Sequence, residues 1–393
     1  MLAAILLRRG WRLAHNRGGA NLRTGLAAAL LLADRPDAAL LEVDEATMPF
    51  AGQQLRPRLA LVTNFFRDQL DRYGELDAAV GLVRRGLASM PAGAAAVLCA
   101  DDPLAAALGA QQAHLRLLYF GIEGVGAPAG GGGPSDARRC PRCGAALQYS
   151  HRHYAHLGHY RCTRCAFARP EAAVAVTAWT PSAGARPGEV TLRAPGTALT
   201  FPLALAGLYN VYNAAAAVAA ALALGTPPEA VVGALGDFRH AFGRMEWLEL
   251  LGHPACLALV KNPAGCSEVL RAVVADPARG KAVALLLNDR YADGTDVSWI
   301  WDADFEALAA AQEDFAVLVA GGSRAADMAL RLKYAGIDPR RLRLQPAPAA
   351  ALAEAAAAAA PGATVYVLPT YTAMLAARAE LVRQRVLAPF WEV

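Results

Sequence analysis

The chain has 393 residues, more than one ordinary domain needs, so two domains are expected. Hydrophobic residues make up 55% and charged ones only 18%, which excludes a disordered chain and predicts well-filled cores. The formal net charge of +4 rests almost wholly on arginine, since the only lysines are Lys261, Lys281 and Lys333; with no clustered basic face, nucleic-acid binding is not expected.

The opening "MLAAILLRRGWRLA" has its arginines after the apolar run and no A-x-A site, so it reads as the back half of an amphipathic helix and not as a signal peptide. "GLAAALLLA" at 25–33 falls well short of the ~20 apolar residues that a bilayer requires, and no transmembrane segment is expected. The expected location is cytoplasmic. "AALLEVDE", "RLALVTN" and "AAAVLCADDP" read as buried strands, with "ELDAAVGLVRRGLASM" as a helix between the last two. This βαβ rhythm predicts a mostly parallel sheet. A glycine-rich linker at 124–139 leads into a cysteine-bearing insert at about 136–170. The β-rich "EVTLRAPGTALTFPLALAG" and the long helix "YNVYNAAAAVAAALALG" come next. Past "RHAFGRMEW" the pattern restarts: "CLALVKN", "AVALLLND", "FAVLVAGG", "RLRLQP" and "TVYVLPT" are five strand candidates separated by helices, a second and Rossmann-like unit. The alanine run at 350–360 is a helix by propensity, with no function assigned. The boundary falls near Gly243, giving domains 1–243 and 244–393.

Four of the seven cysteines form Cys140-x2-Cys143, eighteen residues, then Cys162-x2-Cys165. Two such knuckles supply the four thiolates of a structural zinc site, whereas disulfides or a redox pair fit a cytosolic chain poorly. A complete cysteine set leaves no coordination position for chemistry or for His151, His153, His156 and His159, which are expected to decorate the hairpin between the knuckles. Cys99 and Cys256 lie in apolar runs and read as core. Cys266 opens a helix after "KNPAG", where a lowered thiol pKa is conceivable. No nucleophile elbow surrounds any of them, so no nucleophile is expected in this chain.

Several elements match what an ATP-dependent ligase needs. "LEVDE" places Glu42, Asp44 and Glu45 at a strand end, where carboxylates can hold Mg2+ beside phosphates. Thr63 and Asn64 end the next strand, with Arg67, Asp68, Gln69 and Asp71 behind. Asn210 and Asn213 stand one helical turn apart, so both amides can face one ligand such as an adenine edge. "NDRYADGTDVSWIWDADFE" packs six acidic groups and two tryptophans, Trp299 and Trp301, into nineteen residues.

Taken in order, "HNRGGANLRTG", "LEVDEATMP", "TNFFRDQLDRYGE", "CADDP", the cysteine knuckles, "YNVYNAAAA", "GRMEW", "KNPAG", "DGTDVSWIWDADFE" and "RLKYAG" give a sequence that resembles the MurT family of the Mur ligase superfamily. The resemblance runs from Met1 to "LPTYTAML". It implies an α/β fold: a Mur ligase-type central ATPase domain carrying a zinc ribbon, followed by a Rossmann-like C-terminal domain. It implies the ligase subunit of a lipid II isoglutaminyl synthase, which uses ATP and Mg2+ to activate the D-glutamate carboxylate of the stem peptide as an acyl phosphate. Ammonia from a GatD-like glutaminase subunit then yields D-isoglutamine, for peptidoglycan synthesis. The substrate, lipid II, implies a peripheral position at the inner membrane face. By the same resemblance, Glu42 is the Mg2+ ligand, Asn210 and Asn213 contact adenine, and Lys261 and Asn262 sit where the second domain closes over nucleotide; Asn64, at its strand end, is counted with the nucleotide-binding residues. Gln69 stands where ordinary Mur ligases carry a metal-binding histidine, so a second metal there is not expected. A MurT-like subunit also lends the acid that orients the glutaminase histidine, and Asp296 is the candidate, with Asp293 and Asp302 as fallbacks. Asp302 and Asp304 otherwise read as caps of a helix beginning near Trp301, and the two tryptophans as partner interface.

One departure is specific. A Mur-type ATPase needs a G-x-x-x-x-G-K-[ST] loop, and the chain has no lysine before Lys261. The expectation is that the loop lies just upstream of Met1 in a longer protein. The competing expectation is a noncatalytic, zinc-stapled scaffold that completes a glutaminase. A third is an amino-acid-adding Mur or folylpolyglutamate ligase, against which the cysteines and "DGTDVSW" speak.

Overall fold

The computed structural model describes residues 1–16, 19–67, 76–123, 136–181, 187–205, 207–238, 245–383 and 386–387. The chain forms two compact units, one of Met1–Phe66 with Tyr73–Arg239, the other of Arg67–Arg72 with His240–Val393. Gly243, Asp68, Gln69, Asp71 and most of the glycine-rich linker lie outside the described residues.

The first unit begins with a parallel pair, β1 (Leu13–His15) and β2 (Ala38–Leu40). Its main sheet has six strands, β3 (Leu59–Val62), β4 (Ala95–Cys99), β5 (Arg116–Ile122), β8 (Val174–Thr180), β9 (Gly188–Ala194) and β10 (Thr197–Leu203), in the order β10-β9-β8-β5-β4-β3. β3, β4, β5 and β8 run parallel, and β8, β9 and β10 form an antiparallel meander. Every residue of β4 is buried, as the unbroken apolar run "AAVLC" requires of a strand covered on both faces. The helix Leu208–Ala223, apolar on nearly all sides, packs on β4, β5 and β8. Between β5 and β8 the chain leaves the sheet to form an antiparallel hairpin, β6 (Leu147–Tyr154) and β7 (Leu157–Cys162).

The second unit is a six-stranded sheet of β11 (Glu246–Leu250), β12 (His253–Leu257), β13 (Lys281–Leu286), β14 (Phe315–Gly321), β15 (Leu342–Leu344) and β16 (Val365–Pro369). The order is β11-β12-β16-β13-β14-β15, parallel except for the antiparallel β11–β12 edge. The alanine-rich helix Pro348–Ala358 buries Ala351, Leu352, Ala355 and Ala356 in the core of this unit, since small side chains let a helix lie close to a sheet. Lys281 is fully buried at the start of β13; its ammonium donates to Val273 O at 3.0 Å and to Asp276 O, holding the carbonyl end of the helix Pro263–Ala275.

In the first unit the helix Leu76–Ala88 approaches the turn at Met48 so closely that a Cβ on the buried Gly86 would lie 2.7 Å from the Met48 carbonyl oxygen and 2.9 Å from its carbon. Backbone atoms cannot move aside as a side-chain tip can. Gly86→Val is therefore expected to lower stability by roughly 1–3 kcal/mol, as overpacking does, read as a fall in the urea midpoint at unchanged slope.

Candidate functional site

The four knuckle cysteines converge. Their sulfurs all lie within 4.8 Å of one another, with Cys140–Cys165 at 3.7 Å and Cys143–Cys162 at 3.4 Å. Thiolates around a tetrahedral zinc, with Zn–S bonds of about 2.3 Å, stand about 3.8 Å apart. The donor set therefore fits such an ion. The backbone N–H groups of Arg164 and Cys165 both point at Cys162 Sγ from 3.3 Å, and the first of these chiefly brings that thiol down to about 6, toward the thiolate a metal takes. Tyr160 and Phe167 stack behind the cluster with a centroid distance of 5.6 Å.

The histidines of the hairpin do not decorate its surface. His153 and His156 are buried, and His151 and His159 half-buried. The hairpin turns this face toward the sheet because the end of β4 presents two fully buried carboxylates there, Asp101 and Asp102. Asp101 accepts from Ile122 N at 2.8 Å, Tyr212 Oη at 2.7 Å and Arg169 Nε at 2.5 Å, and His153 Nε2 stands 3.8 Å away. Asp102 caps the helix Pro103–Gly109 through Leu104 N (2.8 Å) and holds Phe65 N (2.7 Å), just past β3; His156 Nε2 is 3.5 Å from it. Sequence reasoning assigned these two acids, Arg169 and Tyr212 no role. The signal was "CADDP", charge at the end of a fully apolar strand.

Glu42 lies two residues past the end of β2 and is exposed. Its backbone is clamped by Asn16, which donates to Glu42 O and accepts from Glu42 N, each at 2.8 Å, while Asn21 Nδ2 reaches the carboxylate at 3.4 Å. Asn64 follows β3 by two residues and is half-buried. Asn210 and Asn213 sit in the first two turns of the helix Leu208–Ala223, Asn210 buried and Asn213 half-buried, with Tyr212 between them bonded to Asp101.

In the second unit one cavity of ≈ 140 Å³ gathers Lys261, Asn262, Asp293, Asp296, Trp299 and Asp302 with Arg67. Asn262 caps the helix Pro263–Ala275 by accepting from Gly265 N at 2.8 Å. The three candidate acids differ in what they already hold. Asp293 is buried and accepts from Thr372 N (2.7 Å), Thr372 Oγ1 (2.5 Å) and Arg290 N (3.2 Å), so it fixes the start of the helix Tyr371–Arg383. Asp302 pairs with Arg67 at 3.2 Å. Asp296 is exposed and accepts from Ser298 N at 2.8 Å.

Two local expectations need correction. The helix after the tryptophans begins at Glu306, behind a 3-10 turn over Ser298–Trp301, so Asp302 follows that turn and caps no helix; the backbone N–H of Asp304 donates to Ser267 Oγ at 3.1 Å. Arg331, buried beneath the segment, explains the shape: it donates to Ile300 O (3.0 Å), Ala303 O (2.9 Å) and Glu306 (2.8 Å), with its guanidinium against the Trp301 and Phe305 rings. Cys266 is fully buried, and burial pushes its thiol well above the usual range, the reverse of an activated thiol.

Residues 259–374 match the family model described as MurT ligase C-terminal. The chain is 32% identical over 332 residues to the lipid II isoglutaminyl synthase (glutamine-hydrolyzing) subunit MurT of Staphylococcus aureus (strain COL), covering 82% of this chain and 71% of that one. To the same subunit of Streptococcus pneumoniae it is 32% identical over 377 residues, 95% of this chain and 81% of that one. In fold it is similar to a pseudomurein peptide ligase type C from Methanothermus fervidus (TM-score 0.73, 22% identity, 98% of this chain and 75% of that one). It is likewise similar to the MurF ligase of Thermotoga maritima, solved in complex with ADP (TM-score 0.67, 13% identity, 98% and 77%). The likeness to the two MurT subunits spans most of each chain, and the folds agree with those of the Mur ligases, so this chain belongs to the MurT family.

Proposed function

We propose that this chain is the subunit of a lipid II isoglutaminyl synthase that amidates the stem-peptide D-glutamate to D-isoglutamine, with ammonia delivered by a glutaminase partner. The observation that carries the proposal is the 32% identity to MurT subunits over most of the chain, which includes the acidic segment. The cavity supports it by setting Lys261 and Asn262 beside Asp296.

ATP with Mg2+ supplies the phosphoryl group that turns the carboxylate into an acyl phosphate. The residues present fit the nucleotide in part. Glu42, exposed and held by its backbone, offers a carboxylate to the metal; Asn64, Asn210 and Asn213 offer amides; Lys261 offers a cation at the head of the helix Pro263–Ala275, whose N-terminal end favours an anion. Residues 1–260 hold no lysine that could cradle phosphates in a G-x-x-x-x-G-K-[ST] loop. The MurF ligase solved with ADP supports nucleotide binding by this fold.

Asp296 is the acid proposed to hold the imidazole of the partner's glutaminase in the tautomer that accepts a proton from its nucleophile. Its exposure supports this role, because an acid that serves another chain has to reach the surface. Asp293 is committed to Thr372 and Asp302 to Arg67, which leaves Asp296 as the better choice. Trp301, 48% exposed and edge-on to Tyr334 at 5.7 Å, supports a partner surface beside it. The cysteine cluster is proposed as a closed structural zinc ribbon. No helix among the described residues is long and apolar enough to cross a membrane, and a peripheral place at the inner membrane face follows from the proposed substrate alone.

Asp296→Asn is expected to lower glutamine-driven amidation on the order of 10³–10⁴-fold while sparing amidation from added ammonium, assayed by mass spectrometry of the stem peptide. Equal loss of both would remove the triad assignment, and a chain that supports neither even as wild type, with partner and ATP present, would be a scaffold. For the ribbon, Cys162→Ser is expected to weaken the cobalt–thiolate charge-transfer absorption of Co2+-substituted protein, since one of the four thiolates is lost. An unchanged spectrum would show that the metal is held elsewhere.

A further inference from the structure

The hairpin faces the sheet with a group of imidazoles that the ligase reading leaves unexplained. His151 and His153 share one face of β6, and His159 stands opposite His151 on β7. Their ring centroids are 4.8 Å apart for His151–His153, 5.6 Å for His153–His159 and 6.1 Å for His151–His159. The His153 side chain is 1% exposed, yet neither of its ring nitrogens has a hydrogen-bond partner, and the buried Nε2 of His151 has none either. Buried polar atoms are nearly always satisfied, so several orphans in one place call for something that binds them.

We infer that His151, His153 and His159 form a second metal site, distinct from the four cysteines, that takes a divalent transition ion such as zinc. With Zn–N bonds of about 2.0–2.1 Å, imidazole centroids around one tetrahedral ion stand about 5 Å apart; the His151–His153 pair has that spacing, and the two wider pairs with His159 have to close on binding. The outer partners are also those of ligating histidines, which give one ring nitrogen to the metal and the other to a carbonyl or carboxylate. His159 Nε2 lies 2.9 Å from Ile122 O, leaving Nδ1 for the ion. His153 Nε2 stands 3.8 Å from Asp101, itself fixed by Arg169 and Tyr212; that gap closes to a hydrogen bond when Nδ1 turns to the ion. His151 contributes the orphaned Nε2. Among the described residues, only the cysteines already have three or more donor atoms drawn together. Binding therefore has to turn the imidazoles inward until one nitrogen of each faces the ion. Three histidines leave a fourth position for water, and the ion fastens the hairpin to the strand ends at Asp101. The inference stands apart from the ligase reading, since it concerns binding alone.

The test counts metal in the full-length chain, prepared without a histidine tag and dialysed against metal-free buffer, by mass spectrometry of elemental zinc. Two ions per chain are expected in the wild type, and one in His153→Ala with its cobalt–thiolate absorption intact. If His153→Ala loses both ions through misfolding, the half-buried His151→Ala decides, with one ion expected. A wild type holding one ion, with nothing lost in either histidine variant, would overturn the site and assign the space to water. Two ions retained in His151→Ala would overturn it as well.

Discussion

The first unit is organised by a carboxylate that has no access to water. Asp101 at the end of β4 is fully buried, and its two oxygens take three donors from three different parts of the chain: a backbone amide of β5, the phenol of Tyr212 and the guanidinium of Arg169. Removing one partner of such a pair strands the other charge in a dry site, at a cost of about 3–5 kcal/mol. The sheet, the chain returning from the cysteine ribbon and the helix that carries Asn210 and Asn213 are therefore held in one arrangement. A buried ion pair is weak evidence of net stability, but it is intolerant of alternative arrangements.

This gives the ribbon a mechanical meaning. The cysteine cluster closes the hairpin at one end, while Tyr160 reaches Ala100 O at 3.0 Å and Gly158 N reaches Asp101 O at 2.9 Å. The hairpin is thus hydrogen-bonded to the same strand end that positions Tyr212. The proposed metal, if held by the cysteines, would act on where the helix Leu208–Ala223 begins without taking part in chemistry.

The acidic segment of the second unit follows a different logic. Six carboxylates within nineteen residues would repel one another if left bare, and most are neutralised or capped locally. Asp289 pairs with Arg324 at 3.1 Å, which with Ser323 keeps its carboxyl below the usual range, Glu306 pairs with Arg331, and Asp293 is used by Thr372. Arg331 and the buried Asp293 hold the segment by hydrogen bonds from beneath, and the exposed Asp296 lies between these two attachments.

Much of this was legible in the residues. The cysteine spacing determined which four thiols meet, because short knuckles leave little conformational freedom. The apolar runs determined the parallel strands, since only a strand covered on both faces can be "AAVLC" or "AVALLL" throughout, and the motif order pointed to the MurT family. The histidines were misjudged because a hairpin's alternation tells which residues share a face but not what that face meets, and the buried Asp101 and Asp102 lie some fifty residues away in sequence. Cys266 was misjudged because the start of a helix lowers a thiol pKa only where water or a cation reaches it, and here burial dominates. Likewise, nothing local distinguishes Asp293, Asp296 and Asp302. Thr372 and Arg67, remote in sequence, take the first and the last and leave Asp296 at the surface. The sequence by itself determined most of the elements, because periodicity and spacing are local properties of the chain, and its motifs pointed to the family by resemblance. Which acids and imidazoles are buried, paired or presented was decided only by the tertiary structure, because their environment comes from distant residues.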